Sequence, residues 1–379
     1  MNTGARNPGL RPDSVPPMDL TCIRCLQTYP LDYLRLRCAC GGALEIAGTP
    51  FLDPAQIDER DLTLWRYRHT FPLPPEVPPV SLGEGMTPLV EARWSDRAIL
   101  LKCEFLNPTG SFKDRGTTVL VTALKEAGVE HVVEDSSGNA GASLAAYAAR
   151  AGIRASVYVP AHASGPKREQ IAAHGAEVVP VPGPRTAAAR AVLEAVEAGA
   201  VYASHVYHPL ILSGMKTAAY EIWEQLGGRA PDAVVLPLGH GSLLLGLARG
   251  FEELQITGLI HTAPRLFGAQ AAACAPLAAA WEQGAEEPLP ATEGETIAEG
   301  VRIAAPVRGR AVLAAVRASG GGILALSEAE IRAARDRLAR MGFYVEPTAA
   351  LAAAALDHLP NLDGTVVVVL TGHGLKAPV

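Results

Sequence analysis

The sequence predicts an α/β fold: two αβα domains built on parallel sheets, preceded by a small cysteine-rich ribbon. Three observations predict it. From residue 99 onward, short β-branched runs alternate with Ala-rich stretches of helical spacing. Such alternation builds parallel sheets covered by helices on both faces. Residues 366–369 are four consecutive valines, which suits a central strand buried on both sides. Four of the six cysteines crowd into residues 22–40.

Taken in chain order, residues 1–17 lack an apolar core segment and read as a floppy tail, not a secretory signal. The ribbon follows over 18–48. Cys22 and Cys25 form Cys-x2-Cys, and after twelve residues Cys38 and Cys40 form Cys-x-Cys, with Gly41 and Gly42 directly behind. Two short turns that each offer two thiolates suit tetrahedral zinc, and four thiolates leave no open position, so this zinc ribbon would be structural. A disulfide pair or a redox site is the other reading; without a secretion signal, zinc is favoured. Residues 72–79 form a proline-rich linker expected to be extended. Strands are expected at 99–104, 131–134, 156–159, 177–181, 233–236 and 365–370, and helices at 116–127, 140–151, 167–174, 186–198, 214–226 and 327–341. Residues 281–296 look like a long loop. Cys103 and Cys274 are isolated and read as ordinary buried residues.

Composition bounds the function. The 379 residues suffice for two or more packed domains, and 49% of them are hydrophobic. The net charge of -6 does not suggest a nucleic-acid or membrane surface. No apolar run approaches the roughly 20 residues of a spanning helix. The absence of a targeting segment points to the cytoplasm.

Four segments carry chemistry. The first is Asn107-Pro108-Thr109-Gly110-Ser111-Phe112-Lys113-Asp114-Arg115-Gly116. Pro and Gly break the backbone, Ser111 is expected to cap a helix over 112–125, and Lys113 stands at its mouth. A lysine desolvated there loses its proton more easily and can attack a carbonyl. The second, Ser136-Ser137-Gly138-Asn139-Ala140-Gly141, follows a strand with small residues that let a ligand approach the amides of a helix start. The third, Pro237-Leu238-Gly239-His240-Gly241-Ser242-Leu243, is a strand–turn–helix phosphate cradle. It lacks both Gly-x-Gly-x-x-Gly and a Gly-Lys-Ser/Thr ending, which speaks against a nucleotide. The fourth is Thr371-Gly372-His373-Gly374-Leu375-Lys376, after the last strand; His373 and Lys376 are assigned no chemistry. In open parallel sheets ligands bind at the carboxyl ends of the strands, where these segments fall.

In this order the segments resemble those of threonine synthases, within the fold-type II pyridoxal-phosphate (PLP) enzymes, the tryptophan synthase beta-like superfamily. Further matches are Gly83-Glu84-Gly85, Gly214-x-Lys216-Thr217, Gly268-Ala269-Gln270-Ala271 and Glu346-Pro347-Thr348. With the ribbon they extend the resemblance over about residues 20–379. It implies that Lys113 holds PLP as a Schiff base and moves protons at the substrate's α and β carbons. It further implies that Asn139 bonds the cofactor's phenolic oxygen, and that Gly239, His240, Gly241, Ser242 and Leu243 hold its phosphate. Thr371 would face the pyridine nitrogen, while Ser136, Ser137 and Gly138 bind the substrate carboxylate. A hydroxyl at that nitrogen leaves it largely neutral, which suits elimination and replacement better than transamination. The implied reaction converts O-phosphohomoserine and water to threonine and phosphate. The implied protein is a homodimer with a larger catalytic domain (49–115 plus 205–379) and a smaller one (116–204).

The chain departs from this pattern at two places. His240 stands where Asn or Gly is commoner. Ile211 stands three residues before the Gly of Gly-x-Lys-Thr, where the family carries an Arg. Arg115, Lys167, Arg168, His205 and His208 are the candidates to supply the missing charge. The departure keeps other replacement and elimination chemistries open: a cysteate or cysteine synthase-like enzyme, a serine/threonine dehydratase or a diaminopropionate lyase. Intact Lys113, Asn139 and Thr371 argue against a PLP-binding or zinc-dependent regulatory protein that merely retains the fold.

Overall fold

The computed structural model describes residues 18–161, 165–183, 185–359, 362 and 364–377. The tail expected at 1–17 lies outside them. The ribbon is a three-stranded antiparallel sheet in which β1 (Asp19–Cys22) lies between β2 (Thr28–Pro30) and β3 (Leu44–Ala47). Leu20, Cys22, Leu44 and Ile46 alternate inward along their strands and join the main core. Bonds that pin the ribbon down include the His208 ring to the Tyr33 carbonyl (2.9 Å) and the Arg308 guanidinium to the Leu44 carbonyl (2.9 Å). Residues 72–79 are not simply extended, because the Val77 amide closes a turn on the Pro74 carbonyl.

A hairpin of β4 (Leu89–Trp94) and β5 (Arg97–Lys102) leads into α1 (Lys113–Glu126). Four parallel strands then alternate with helices: β6 (His131–Glu134), α2 (Asn139–Ala151), β7 (Arg154–Pro160), α3 (Pro166–Ala173), β8 (Glu177–Val181), α4 (Arg185–Glu197) and β9 (Val201–Tyr202). They form one sheet in the order β8-β7-β6-β9. After α5 (Leu210–Met215) and α6 (Thr217–Gln225) come β10 (Ala233–Pro237), α7 (Ser242–Ile256), β11 (Arg265–Ala271), α8 (Pro276–Glu282), α9 (Gly309–Ala318), β12 (Gly322–Leu326), α10 (Glu328–Arg340), α11 (Pro347–Ala355) and β13 (Val366–Val369). The second sheet runs β12-β11-β10-β13-β5-β4, parallel except for edge strand β4.

The valines of β13 serve both faces of this sheet, since side chains alternate along a strand. Val367 and Val369 pack with Val234 and Leu236, while Val366 and Val368 pack with Ala233 and Val235 on the other side. All nine residues of α11 are buried against that second face. Cys103 and Cys274 are buried as expected, and residues 283–296 are loop, with Trp281 and Glu282 ending α8.

Two local expectations need correction. Ser111 does not cap α1: Phe112 takes the cap position, and Ser111 bridges to Gly372. The expected helix 214–226 is two helices meeting at Lys216, whose ammonium is bound by both Glu253 oxygens at 3.0 Å. Here α5 lies so close to α1 that a Cβ on Gly214 would sit 1.8 Å from the Arg115 carbonyl oxygen. Only glycine permits that approach.

Candidate active site

The four segments converge at the carboxyl ends of the strands. The Phe112 amide donates to the Thr371 carbonyl (3.1 Å) and the His373 amide to the Gly110 carbonyl (3.0 Å), which stitches the turn after β13 to the start of α1. Lys113, half-buried, is the first residue of α1, with its Nζ 4.8 Å from the centroid of the Phe112 ring. Asp114 locks this turn. Its carboxylate accepts from the Thr109 amide (2.7 Å), the Thr109 hydroxyl (2.6 Å) and the Ser143 hydroxyl of α2 (2.6 Å). Burial still pushes its pKa up to about 6. The Lys376 ammonium donates to the Thr109 carbonyl at 2.6 Å, and burial pushes that amine down to about 8.

Asn139 opens α2 and donates its amide to Glu346 (2.9 Å), whose carboxylate also pairs with Lys167 of α3 (3.0 Å). The Glu346 amide donates to the Gly372 carbonyl, which brings Asn139 beside the Thr371 turn. The first ladder bond of α2 runs from the Ala142 amide to the Gly138 carbonyl, so the amides of Asn139, Ala140 and Gly141 lie outside the helical ladder. Gly138 has only the Ser136 hydroxyl oxygen within 4 Å of where a Cβ would stand, so the segment Ser136-Ser137-Gly138 borders open space.

The turn after β10 is built for an anion. Gly241 takes a left-handed φ of +86°, and a Cβ there would strike Val312 at 2.3 Å, so only glycine fits. The ladder of α7 starts with the Leu245 amide on the Gly241 carbonyl, which leaves the Ser242, Leu243 and Leu244 amides outside it at the positive end of a fifteen-residue helix.

Among the described residues, three buried polar oxygens in this region have no protein partner: Ser111 Oγ, Asn139 Oδ1 and Thr371 Oγ1. Buried polar atoms are otherwise nearly always hydrogen-bonded. Orphans beside a half-buried lysine and a phosphate-type cradle fit a polar aromatic cofactor that carries a phosphate.

The candidates for the missing positive charge fare differently. Arg115 is wholly buried and clamped by Glu104 (2.6 Å) and Glu221 (2.6 Å). His208 is buried, with burial pushing its ring down to about 4, and its Nε2 is on the Tyr33 carbonyl. Lys167 is committed to Glu346. Ile211 is buried, and its carbonyl and side chain face Gly116 of α1. His205 binds the buried carboxylate of Glu134 through Nδ1 (2.8 Å) and through its amide (3.2 Å). Glu134, Asp114 and the role of Glu346 were not picked out in the sequence. A carboxylate ending an apolar strand just before a Ser/Gly turn was the one available hint.

A family profile described as pyridoxal-phosphate dependent enzyme matches residues 80–372. The chain is 37% identical over 374 residues to a threonine synthase of Methanocaldococcus jannaschii, covering 94% of this chain and 92% of that protein. It is 38% identical over 325 residues to a threonine synthase of Mycobacterium tuberculosis, covering 82% and 88%. Among solved structures, a threonine deaminase from T.th. superposes with a TM-score of 0.67 at 31% identity, covering 76% of this chain and 92% of that one. The chain is therefore a threonine synthase-like member of the pyridoxal-phosphate dependent enzyme family.

Proposed function

We propose that the protein is a threonine synthase, taking O-phosphohomoserine and water to threonine and phosphate. The observation that carries this reading is the set of partnerless buried oxygens around Lys113, in a chain whose relatives over nearly its whole length are threonine synthases. The Lys113 amine would hold PLP and would serve as the base that moves protons at the α and β carbons. Thr371 Oγ1 would face the pyridine nitrogen and Asn139 the phenolic oxygen, and Gly239, His240, Gly241, Ser242 and Leu243 would hold the phosphate on amides at the α7 start. Ser136, Ser137 and Gly138 orient the substrate carboxylate with the amides at the α2 start. Bound there, PLP supplies the electron sink that stabilises negative charge at the substrate's α carbon.

The test is phosphate release and threonine formation from O-phosphohomoserine. Borohydride should fix the cofactor on Lys113, and a label on another lysine would overturn the assignment. A second reading, a serine/threonine dehydratase, is favoured by one observation: Ile211 is buried against α1, and its aliphatic side chain brings no charge to a substrate phosphate. Turnover of serine or threonine with none of O-phosphohomoserine would establish it.

Structural zinc at Cys22, Cys25, Cys38 and Cys40 belongs to the proposal. Their sulfurs lie within 4.8 Å of one another, and none is in a disulfide. The Arg24 amide donates to Cys22 Sγ (3.4 Å), a contact that suits a thiolate ligand. Full metal content in a Cys22→Ser variant would remove this assignment. The cytoplasmic setting, the homodimer and the division into 49–115 plus 205–379 and 116–204 are likewise inferred from the sequence and the resemblance. Among the described residues, no helix is long and apolar enough to cross a membrane.

A further inference from the structure

We propose that Glu346 is a positioning residue of the candidate active site: charge-balanced by Lys167, its carboxylate sets the rotation of the Asn139 amide and thereby the contact that Asn139 makes with bound PLP. This rests on the reading of Asn139 as a cofactor contact.

Glu346 is 2% exposed, and its backbone is held on both sides. Pro347 opens α11 directly behind it, and its own amide donates to the Gly372 carbonyl (3.0 Å), next to the bridge between Val345 and His373. The carboxylate occupies the place of a side chain on Gly372, where a Cβ would stand 2.2 Å from Glu346 Oε1. The glycine after Thr371 thus makes room for an acid, beside the turn whose Thr371 carbonyl holds the Phe112 amide just ahead of Lys113. Oε1 accepts from Asn139 Nδ2 at 2.9 Å. Oε2 lies 3.0 Å from the Lys167 ammonium, an ion contact outside hydrogen-bond alignment. A carboxylate this buried is costly unless paired, and Lys167 of α3 supplies the pairing charge.

The chemistry of the carboxylate decides which way the amide turns. An ionised carboxylate only accepts hydrogen bonds, so it attracts the NH2 of Asn139 and repels Oδ1. One N–H is spent on Glu346, while Oδ1 is buried without a partner among the described residues. The orphan acceptor and the second N–H are what Asn139 offers a bound group. Fixing them in advance lowers the ordering cost of binding. Without Glu346 the amide is free to turn about its Cβ–Cγ bond.

The test is a double-mutant cycle on PLP binding, read by absorbance titration of the cofactor-free protein. It compares wild type, Glu346→Ala, Asn139→Ala and the double variant, with Glu346→Gln and Lys167→Met beside them. Glu346→Ala should raise the PLP Kd about 10- to 100-fold and shift the visible band of the bound cofactor in the same direction as Asn139→Ala does. The double variant should bind no more weakly than Asn139→Ala, because Glu346 acts through that amide. Glu346→Gln keeps the shape and can accept through its carbonyl oxygen, so it should recover part of the affinity. Lys167→Met should raise the Kd about 3- to 10-fold. In the cofactor-free protein the side-chain 15N–1H signals of Asn139 should move on Glu346→Ala. Melting curves show that each variant is folded, and should Glu346→Ala not fold, the cycle is read with Glu346→Gln. Losses that multiply in the double variant, a wild-type Kd in Glu346→Ala, or Asn139 signals unmoved by that change would each overturn the proposal. A wild-type Kd in Asn139→Ala would remove the Asn139 contact and the proposal with it. No substrate enters these measurements, so an enzyme that leaves O-phosphohomoserine untouched would sink the synthase reading and leave the coupling standing.

Discussion

Lys113 and Arg115 stand two residues apart in the first turn of α1 and look into opposite polar surroundings. Around Arg115 every partner is present. Its guanidinium donates to Glu104, Glu221 and Thr217, and Lys102 closes the network on Glu221, Gln225 and the Thr87 carbonyl. Around Lys113 lie buried oxygens of Ser111, Asn139 and Thr371 with no protein partner. Residues two apart on a helix do not share a face, so one turn can serve both regions. The closed region is scaffold, complete without a ligand. The open one carries a desolvation cost that only a bound polar group offsets.

Four variants would break or sharpen this contrast. Lys113→Ala strikes the open region and should cut kcat/KM about 10³-fold or more, with thermal stability near wild type. Arg115→Met strikes the closed one. It leaves the buried carboxylate of Glu104 without its cation and Glu221 with Lys102 alone, and should cost about 3–5 kcal/mol of stability in denaturant titration.

The two regions should also oppose each other in pH. Burial alone would raise Glu221, but the charges of Arg115 and Lys102 outweigh it and hold the carboxyl down to about 2. A depressed carboxyl gives stability that is full above its unfolded value near 4.5 and is lost as pH falls toward 2. Glu134, raised to about 7, keeps its proton in the folded state, so it weakens the fold as pH rises from about 4.5 to 7. Glu134→Gln should therefore gain stability over wild type, on the order of 3 kcal/mol, between pH 5 and pH 8. Melting scans at both pH values would show it, and a constant difference would refute it. The smallest effect belongs to Thr371→Val, which removes one orphan hydroxyl. It should weaken PLP binding about tenfold while leaving the cofactor-free protein as stable or slightly more so.

The alternation of strands and helices was readable because β6, β7 and β8 are short β-branched runs, whereas β9, two residues long, gave no such signal. The turns that carry the proposed site residues were readable as strand-to-helix junctions: Asn139 and Thr371 follow β6 and β13 within five residues, and Lys113 opens the helix that comes after β5. What escaped has physical causes. Ser111 looked like a helix cap, but tertiary pairing with Gly372 drew it away from α1. The helix α11, Pro-Thr-Ala-Ala-Leu-Ala-Ala-Ala-Ala, is buried all round and so carries no amphipathic stripe to detect. The fates of Arg115 and His208 depend on partners 106 and 175 positions away, Glu221 and Tyr33, a distance no local pattern spans.

The place of β13 in its sheet bears on how the molecule is made. β5 and β10 are both parallel neighbours of β13 and do not touch each other's edges. The four-stranded sheet, finished by residue 202, can assemble while the ribosome is still working. The six-stranded sheet is completed later. Its central slot stays open from the emergence of Pro237 until Val369 follows, roughly 7–26 s at about 5–20 residues per second. During that interval two apolar strand edges are exposed to other nascent chains, the situation in which edge-to-edge aggregation begins. Thr371 follows two residues behind Val369, so the candidate active site and the safe burial of those edges are completed at the same stage of synthesis.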